Sequence, residues 1–143
     1  MPIWKQAASL EQLNQWNQNT INAHLGITFT ELGDDYVAGT MPVDTRTRQP
    51  MGILHGGASV VLAESLGSIA AHLAAEPGQR CVGLDINANH IRSVSSGEVR
   101  GVARALHIGS STQVWEIHIH SSQQKLVCIA RLTIAVLNPK SNK

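Results

Sequence analysis

Between Asp44 and Glu76 the chain carries a single acidic residue, Glu64, flanked by Val60, Val61, Leu62, Ala63 and Leu66. A carboxylate in such company is paired, reaches water through a cleft, or works as a general base or nucleophile. Ser68 follows four residues on, so on a helix its hydroxyl lies beside the carboxylate. The competing reading is a plain polar stripe, because Glu64, Ser65, Ser68 and His72 occupy one arc. Upstream stands His55-Gly56-Gly57. If a helix begins there, Gly56 and Gly57 leave backbone N–H groups open to a substrate oxygen, and the helix dipole favours a carbonyl that becomes an alkoxide. Taken alone, the glycine pair reads first as a tight loop-to-helix junction, and His55 as a capping or core histidine.

Asn87-Ala88-Asn89-His90-Ile91-Arg92 alternates so that His90 and Arg92 share one strand face, two groups that could hold a phosphate. A surface strand with scattered polar residues explains the same pattern. His24, His107, His118 and His120 show no ligand spacing with a carboxylate or thiolate, and Gln49 by itself says nothing. Cys81 and Cys128 have neither metal-knuckle spacing nor the density of a secreted disulfide scaffold, so both are expected as buried thiols in a reducing compartment.

The elements that must position these residues follow from periodicity. Ser9 caps a short helix with Leu10, Leu13 and Trp16 about one turn apart, ending near Asn17 to Asn19, with a short turn at Asn22 to Leu25. Gly26–Thr30 and Tyr36–Met41 flank Gly33-Asp34-Asp35 as a hairpin, and Pro42 to Gly52 forms a loop. One long helix runs from Gly56 to about Ala74, closed by Glu76-Pro77-Gly78. The stretch from Ile53 to Ala75 is apolar enough to raise the question of a membrane span, but His55, Glu64, Ser65, Ser68 and His72 interrupt it, so a core helix is expected. Four strands follow: Cys81 to Ile91, Glu98 to Leu106, Val114 to His120 and Leu126 to Leu137. In the third, Trp115, Ile117 and Ile119 face one way and Glu116, His118 and His120 the other. Asn138 to Lys143 is expected as a frayed tail. Two strands, a long helix and four strands require an α+β layout in which an antiparallel sheet buries the helix against one face.

With 143 residues the chain is expected to form one domain, 1–143. An apolar fraction of 43% and a charged fraction of 15% argue against disorder, and a net charge of +1 gives no reason to expect nucleic acid or a membrane surface. No apolar export segment appears over Met1 to Leu10, so a cytoplasmic location is expected.

Trp4-Lys5, Met41-Pro42-Val43-Asp44-Thr45-Arg46-Thr47, Gln49-Pro50, Gly52, Leu54-His55-Gly56-Gly57-Ala58-Ser59, Leu62-Ala63-Glu64-Ser65 and Asn87-Ala88-Asn89-His90 occur together, in order. This set resembles the bacterial hotdog-fold thioesterases that act on aromatic acyl thioesters, over Ile3 to about Leu137. The resemblance implies a curved antiparallel sheet wrapped around one long helix. It also implies hydrolysis of an acyl-CoA thioester with Glu64 as the catalytic carboxylate and Gly56 N–H polarising the carbonyl, while Gln49, His55 and Ser68 orient water, carbonyl and leaving group. His90 and Arg92 would lie near the coenzyme A path. Ser110-Ser111-Thr112 carries no basic residue in a turn where relatives often have one, which weakens any phosphate clamp there.

Two branches of the family compete, the 1,4-dihydroxy-2-naphthoyl-CoA thioesterases of menaquinone synthesis and the proofreading thioesterases that clear misloaded aryl carrier protein in enterobactin synthesis. Leu84 to His90 and Val60 to Ser65 look more like the former. Glu64 could attack as a nucleophile or activate water, and neither route requires a metal or a redox cofactor. The rivals are a hotdog dehydratase or hydratase and a non-enzymatic acyl-CoA-binding protein; the joint Gln49, His-Gly-Gly and Glu64 pattern favours hydrolysis. Nine residues separate His55 from Glu64, about 13 Å of helical rise and half a turn out of phase. One helix therefore cannot bring Gly56 and Glu64 to the same carbonyl, and a homodimer or dimer-of-dimers tetramer with shared sites is expected.

Overall fold

The computed structural model describes residues 1–139. Three helices, α1 (Leu10–Gln15), α2 (Ile21–Leu25) and α3 (Gly56–Ala74), accompany six strands. These are β1 (Thr28–Leu32), β2 (Tyr36–Pro42), β3 (Arg80–His90), β4 (Glu98–Ile108), β5 (Thr112–Ser121) and β6 (Leu126–Leu137). All pairings are antiparallel and the spatial order is β1-β2-β4-β5-β6-β3. The sheet curves around α3, which packs against β2 to β6, the hotdog arrangement.

The core follows from the two periodicities meeting. Leu62, Leu66, Ala70 and Leu73 present the inner stripe of α3, and Trp115, Ile117 and Ile119 present the inner face of β5; all are essentially inaccessible to water. Leu66 sits so close to β4 that a Cβ on Gly101 would stand 2.6 Å from its Cδ1, and a Cβ on Gly67 would stand 2.7 Å from Leu132 Cδ2. These glycines let helix and sheet approach. A leucine buried to this degree contributes about 2 kcal/mol through the hydrophobic effect. The helix is long and apolar enough to cross a membrane, with a mean hydropathy of 1.3, yet it is the core of this sheet.

The N-terminal segment closes one end of the core. Trp4 stacks on Trp115 at 6.1 Å and donates through Nε1 to Gly33 O. The Lys5 and Gln6 N–H groups donate to Leu73 O, and Gln6 Nε2 donates to His72 O and Ala75 O, so carbonyls in the last turn of α3 and at its C-cap find partners in the N-terminal segment.

The expected elements stand within a few residues of their predicted bounds. Ser9 caps α1 in a capping box with Gln12, and the turn expected at Asn22 to Leu25 is the short helix α2. Arg92 differs from expectation, because β3 ends at His90. Ile91 N and Arg92 N both donate to Val127 O, which stops the ladder and turns the chain out of the sheet. Cys128 is buried as expected, but Cys81 is only partly so, since β3 is an edge strand. Burial pushes both thiols up from their ordinary values. The expected frayed tail lies outside the described residues from residue 140 on.

Along its other edge β3 pairs with no strand among the described residues, and Val82 and Leu84 on it are 40% and 62% exposed. An eleven-residue strand with one free edge and exposed apolar side chains is a ready template for another strand.

Candidate active site

The connector between β2 and α3 delivers the helix start. Asp44 pairs with Arg46 at 2.7 Å, and that guanidinium holds the Asp44 carboxyl down at about 2. Buried Thr47 donates through its hydroxyl to Pro42 O and offers its carbonyl to His55 N–H at 2.8 Å. Leu54 N–H donates to Val94 O, and Gln49 N–H to Ile53 O, so Gln49 and His55 are fixed by backbone bonds on both sides. The Gln49 side chain also accepts from Met51 N–H.

His55 is the N-cap of α3, its Nδ1 accepting from Gly57 N–H at 2.8 Å. Ala58 and Ser59 N–H groups go to His55 O. Of the first N–H groups of the helix, Gly56 N–H is the one without a partner among the described residues. The capping reading of His55 is thus correct, and the cap itself singles out the N–H that stays free. A Cβ on Gly56 would meet His90 Nε2 at 2.8 Å, so only glycine lets the imidazole lie against the helix start. Gln49, Gly56, His90 and Arg92 line one cleft of about 310 Å³. Arg92 reaches it although it has left the strand.

Glu64 and Ser68 line a different cavity, of about 490 Å³. Its walls are mainly apolar, with Trp16, Phe29, Val61 and Ile69 among them. A Cβ on Gly83 of β3 would stand 3.0 Å from Glu64 Oε1, so the carboxylate lies directly under the edge strand. The two cavities have no lining residue in common, and Gly56 and Glu64 are about 12 Å apart by helical rise.

Asn17 and Asn22, beside the Glu64 cavity, carried no functional signal in the sequence. Ser65 Oγ donates to Asn22 Oδ1 at 2.8 Å, Asn22 Nδ2 donates to Asn17 Oδ1 at 2.9 Å, and Asn17 Nδ2 donates to Ile27 O. This chain ties the α1–α2 connector to α3 and makes Trp16 and Asn17 a wall of the cavity. Asn17-Gln18-Asn19-Thr20 reads only as a polar loop, because the partner of Asn22 is 43 residues away.

The family model described as Thioesterase superfamily matches residues 51–128, which hold the helix start, Glu64 and β3 to β5. The chain belongs to the thioesterase superfamily. As such it is a thioester hydrolase, and its relatives agree over nearly their whole length. The chain is 53% identical to the 1,4-dihydroxy-2-naphthoyl-CoA hydrolase of Escherichia coli, covering 94% of this chain and 99% of that one. It is also 53% identical to the proofreading thioesterase EntH of Cronobacter sakazakii, over 94% and 98%. Among solved structures, a mutant thioesterase from Pseudomonas aeruginosa carrying a glutamine-to-alanine substitution superposes with a TM-score of 0.92 at 51% identity, over 94% and 98%. Among the described residues of this thioesterase, no group of three His, Cys, Asp or Glu side chains is arranged to hold a metal ion.

Proposed function

We propose that this thioesterase hydrolyses an aromatic acyl-CoA, of the 1,4-dihydroxy-2-naphthoyl or hydroxybenzoyl type, at a site assembled from two copies of the chain. The observation that carries the reading is the placement of Glu64 on the wall of a 490 Å³ cavity lined by Trp16 and Phe29, room for a flat ring system beside the one carboxylate of the helix. The second half of the chemistry, the free Gly56 N–H with Gln49 and His90, opens on another cleft. A partner whose β3 pairs with this β3 across a two-fold axis would bring its Gly56 to this Glu64 and produce two equivalent sites.

In such a site the thioester carbonyl oxygen accepts from Gly56 N–H, and the developing oxyanion is held by that donor and the end of the helix dipole. His55 keeps Gly57 N–H engaged and so fixes the first turn of α3. Glu64 of the partner either adds to the carbonyl carbon, expelling the thiolate and leaving an anhydride for water to open, or takes a proton from the attacking water. Gln49 and Ser68 orient water and leaving group, and His90 and Arg92 border the path of coenzyme A. A cytoplasmic setting, where coenzyme A thioesters are made, accords with this reading.

Proofreading of an aryl carrier protein is the second reading, favoured by the equal identity to EntH. The two are separated by a kinetic panel of dihydroxynaphthoyl-CoA, hydroxybenzoyl-CoA, hydroxybenzoyl carrier protein and palmitoyl-CoA. The aryl-CoA esters are expected to rank first in kcat/KM. A clear preference for palmitoyl-CoA overturns the aromatic assignment, and a preference for the carrier protein transfers it to proofreading.

A further inference from the structure

The segment from Trp16 to Leu25, which runs from the end of α1 through α2, is fastened to α3 by two side-chain contacts. At one end the Trp16 ring meets the His72 imidazole edge-on, with centroids 5.8 Å apart. At the other, Ser65 Oγ donates to Asn22 Oδ1 at 2.8 Å, the one hydrogen bond between residues 16–25 and α3 among the described residues. Ser65 and His72 are seven residues apart, so they share one face of the helix about 10 Å apart along its axis, with Ser68 and Ile69 between them. Ser68, Ile69, Trp16 and Asn22 all line the Glu64 cavity, so the segment forms a strap over it. Trp16 and Ile21 are 51% and 56% exposed, which puts the apolar side chains of the strap at the rim between cavity and solvent.

The strap is held unevenly. Just before it, α1 buries Leu13 completely and is tied to β1 by Asn14, whose Nδ2 donates to Phe29 O and whose Oδ1 accepts from Phe29 N–H. α2 has no fully buried residue. Its position against α3 therefore depends on the Ser65–Asn22 bond more than on apolar burial. Asn22 passes the restraint on through Nδ2 to Asn17 Oδ1, so the same bond steadies the stretch between them. A flat ring is gripped by a slot with fixed walls, whereas a flexible chain needs room to turn. We propose that Ser65 and Asn22 are positioning residues that set acyl specificity: their hydrogen bond holds the strap down over α3, keeps the Glu64 cavity narrow around a flat ring and shuts out a flexible aliphatic chain. The proposal rests on the acyl group lying in the Glu64 cavity, as in the function proposed above, and gives neither residue a part in the chemistry.

The test compares benzoyl-CoA with decanoyl-CoA in the wild type, Ser65→Ala and Ser65→Thr. Alanine is favoured over serine inside a helix, so α3 survives the first substitution, and the second keeps the hydroxyl. A net hydrogen bond between neutral groups shifts an equilibrium by roughly fivefold, so the ratio of kcat/KM for benzoyl-CoA over decanoyl-CoA is expected to fall about fivefold in Ser65→Ala. The change should come from a higher KM for benzoyl-CoA and a lower KM for decanoyl-CoA, with kcat for benzoyl-CoA within about twofold of wild type. Ser65→Thr should keep the ratio within about twofold of wild type. Amide hydrogen exchange over residues 20–25 should quicken in Ser65→Ala while that of α3 stays unchanged. An unaltered ratio, an equal loss on both thioesters, unaltered exchange over the strap, or a threonine variant that behaves like the alanine one would overturn the inference while leaving Glu64 and Gly56 in their roles. A wild type that prefers decanoyl-CoA to benzoyl-CoA would instead overturn the aromatic reading on which it rests.

Discussion

In Gly56→Ala the added methyl group would stand 2.8 Å from His90 Nε2 and 3.0 Å from its Cε1. An unstrained contact needs about 3.5 Å, so the imidazole must move by roughly 0.7 Å, and the methyl itself enters the space in front of the Gly56 N–H. A misplacement approaching 1 Å at reacting groups costs about a hundredfold, the lower end of the loss when an oxyanion donor is removed. kcat/KM on an aryl-CoA should therefore fall by about two orders of magnitude. Stability moves the other way. Gly56 has no positive φ, His90 is an exposed side chain that can swing aside, and alanine is favoured over glycine in a helix by up to about 1 kcal/mol. The Tm should be unchanged or higher by up to about 3 °C. Thiol release monitored with a disulfide reagent gives the first quantity and a thermal melt the second. Activity within threefold of wild type, at an unchanged Tm, would refute the role given to the Gly56 N–H.

Glu64→Gln keeps the shape of the side chain and removes its charge, so turnover should drop about a thousandfold or more while substrate still binds; retention of a tenth of the activity would make Glu64 a stripe residue. Ser68→Ala should cost much less, and a loss as large as that of Glu64→Gln in the same assay would show that the roles are misassigned. The Asp44–Arg46 pair lowers the Asp44 carboxyl from 3.8 to about 2, so its contribution is present above about pH 4 and disappears as pH falls through about 2. Melting curves of wild type and Asp44→Asn should differ slightly at neutral pH and converge near pH 2; a gap that stays constant over that range would contradict the assignment.

How much of this was legible in the sequence depends on the range of the interactions involved. Ser9, the α3 bounds and the alternation of β5 are local patterns, set within one or two turns or a few strand positions, and they lie where the periodicities put them. Glu64 stood out because a carboxylate among aliphatic residues breaks the helical pattern around it. Arg92 misled because alternation continues through Ile91, whereas the strand is ended by two N–H groups sharing Val127 O, an interaction 35 or more residues away in the chain. Cys81 misled for the same reason, since only the strand order reveals that β3 is an edge. The wall built by Asn17 and Asn22 depends on Ser65 and Ile27, and no short-range pattern announces it.

The central claim, a site completed by a second copy, is tested by mixing two inactive chains. His55→Ala loses the cap that fixes the first turn of α3, and Glu64→Ala loses the carboxylate. Under conditions where subunits exchange, each mixed dimer holds one site with both residues intact and one with neither. Random pairing makes about half the dimers mixed, so roughly a quarter of wild-type activity should return as mixing proceeds. Mixed dimers seen by native mass spectrometry without any return of activity would contradict the shared site.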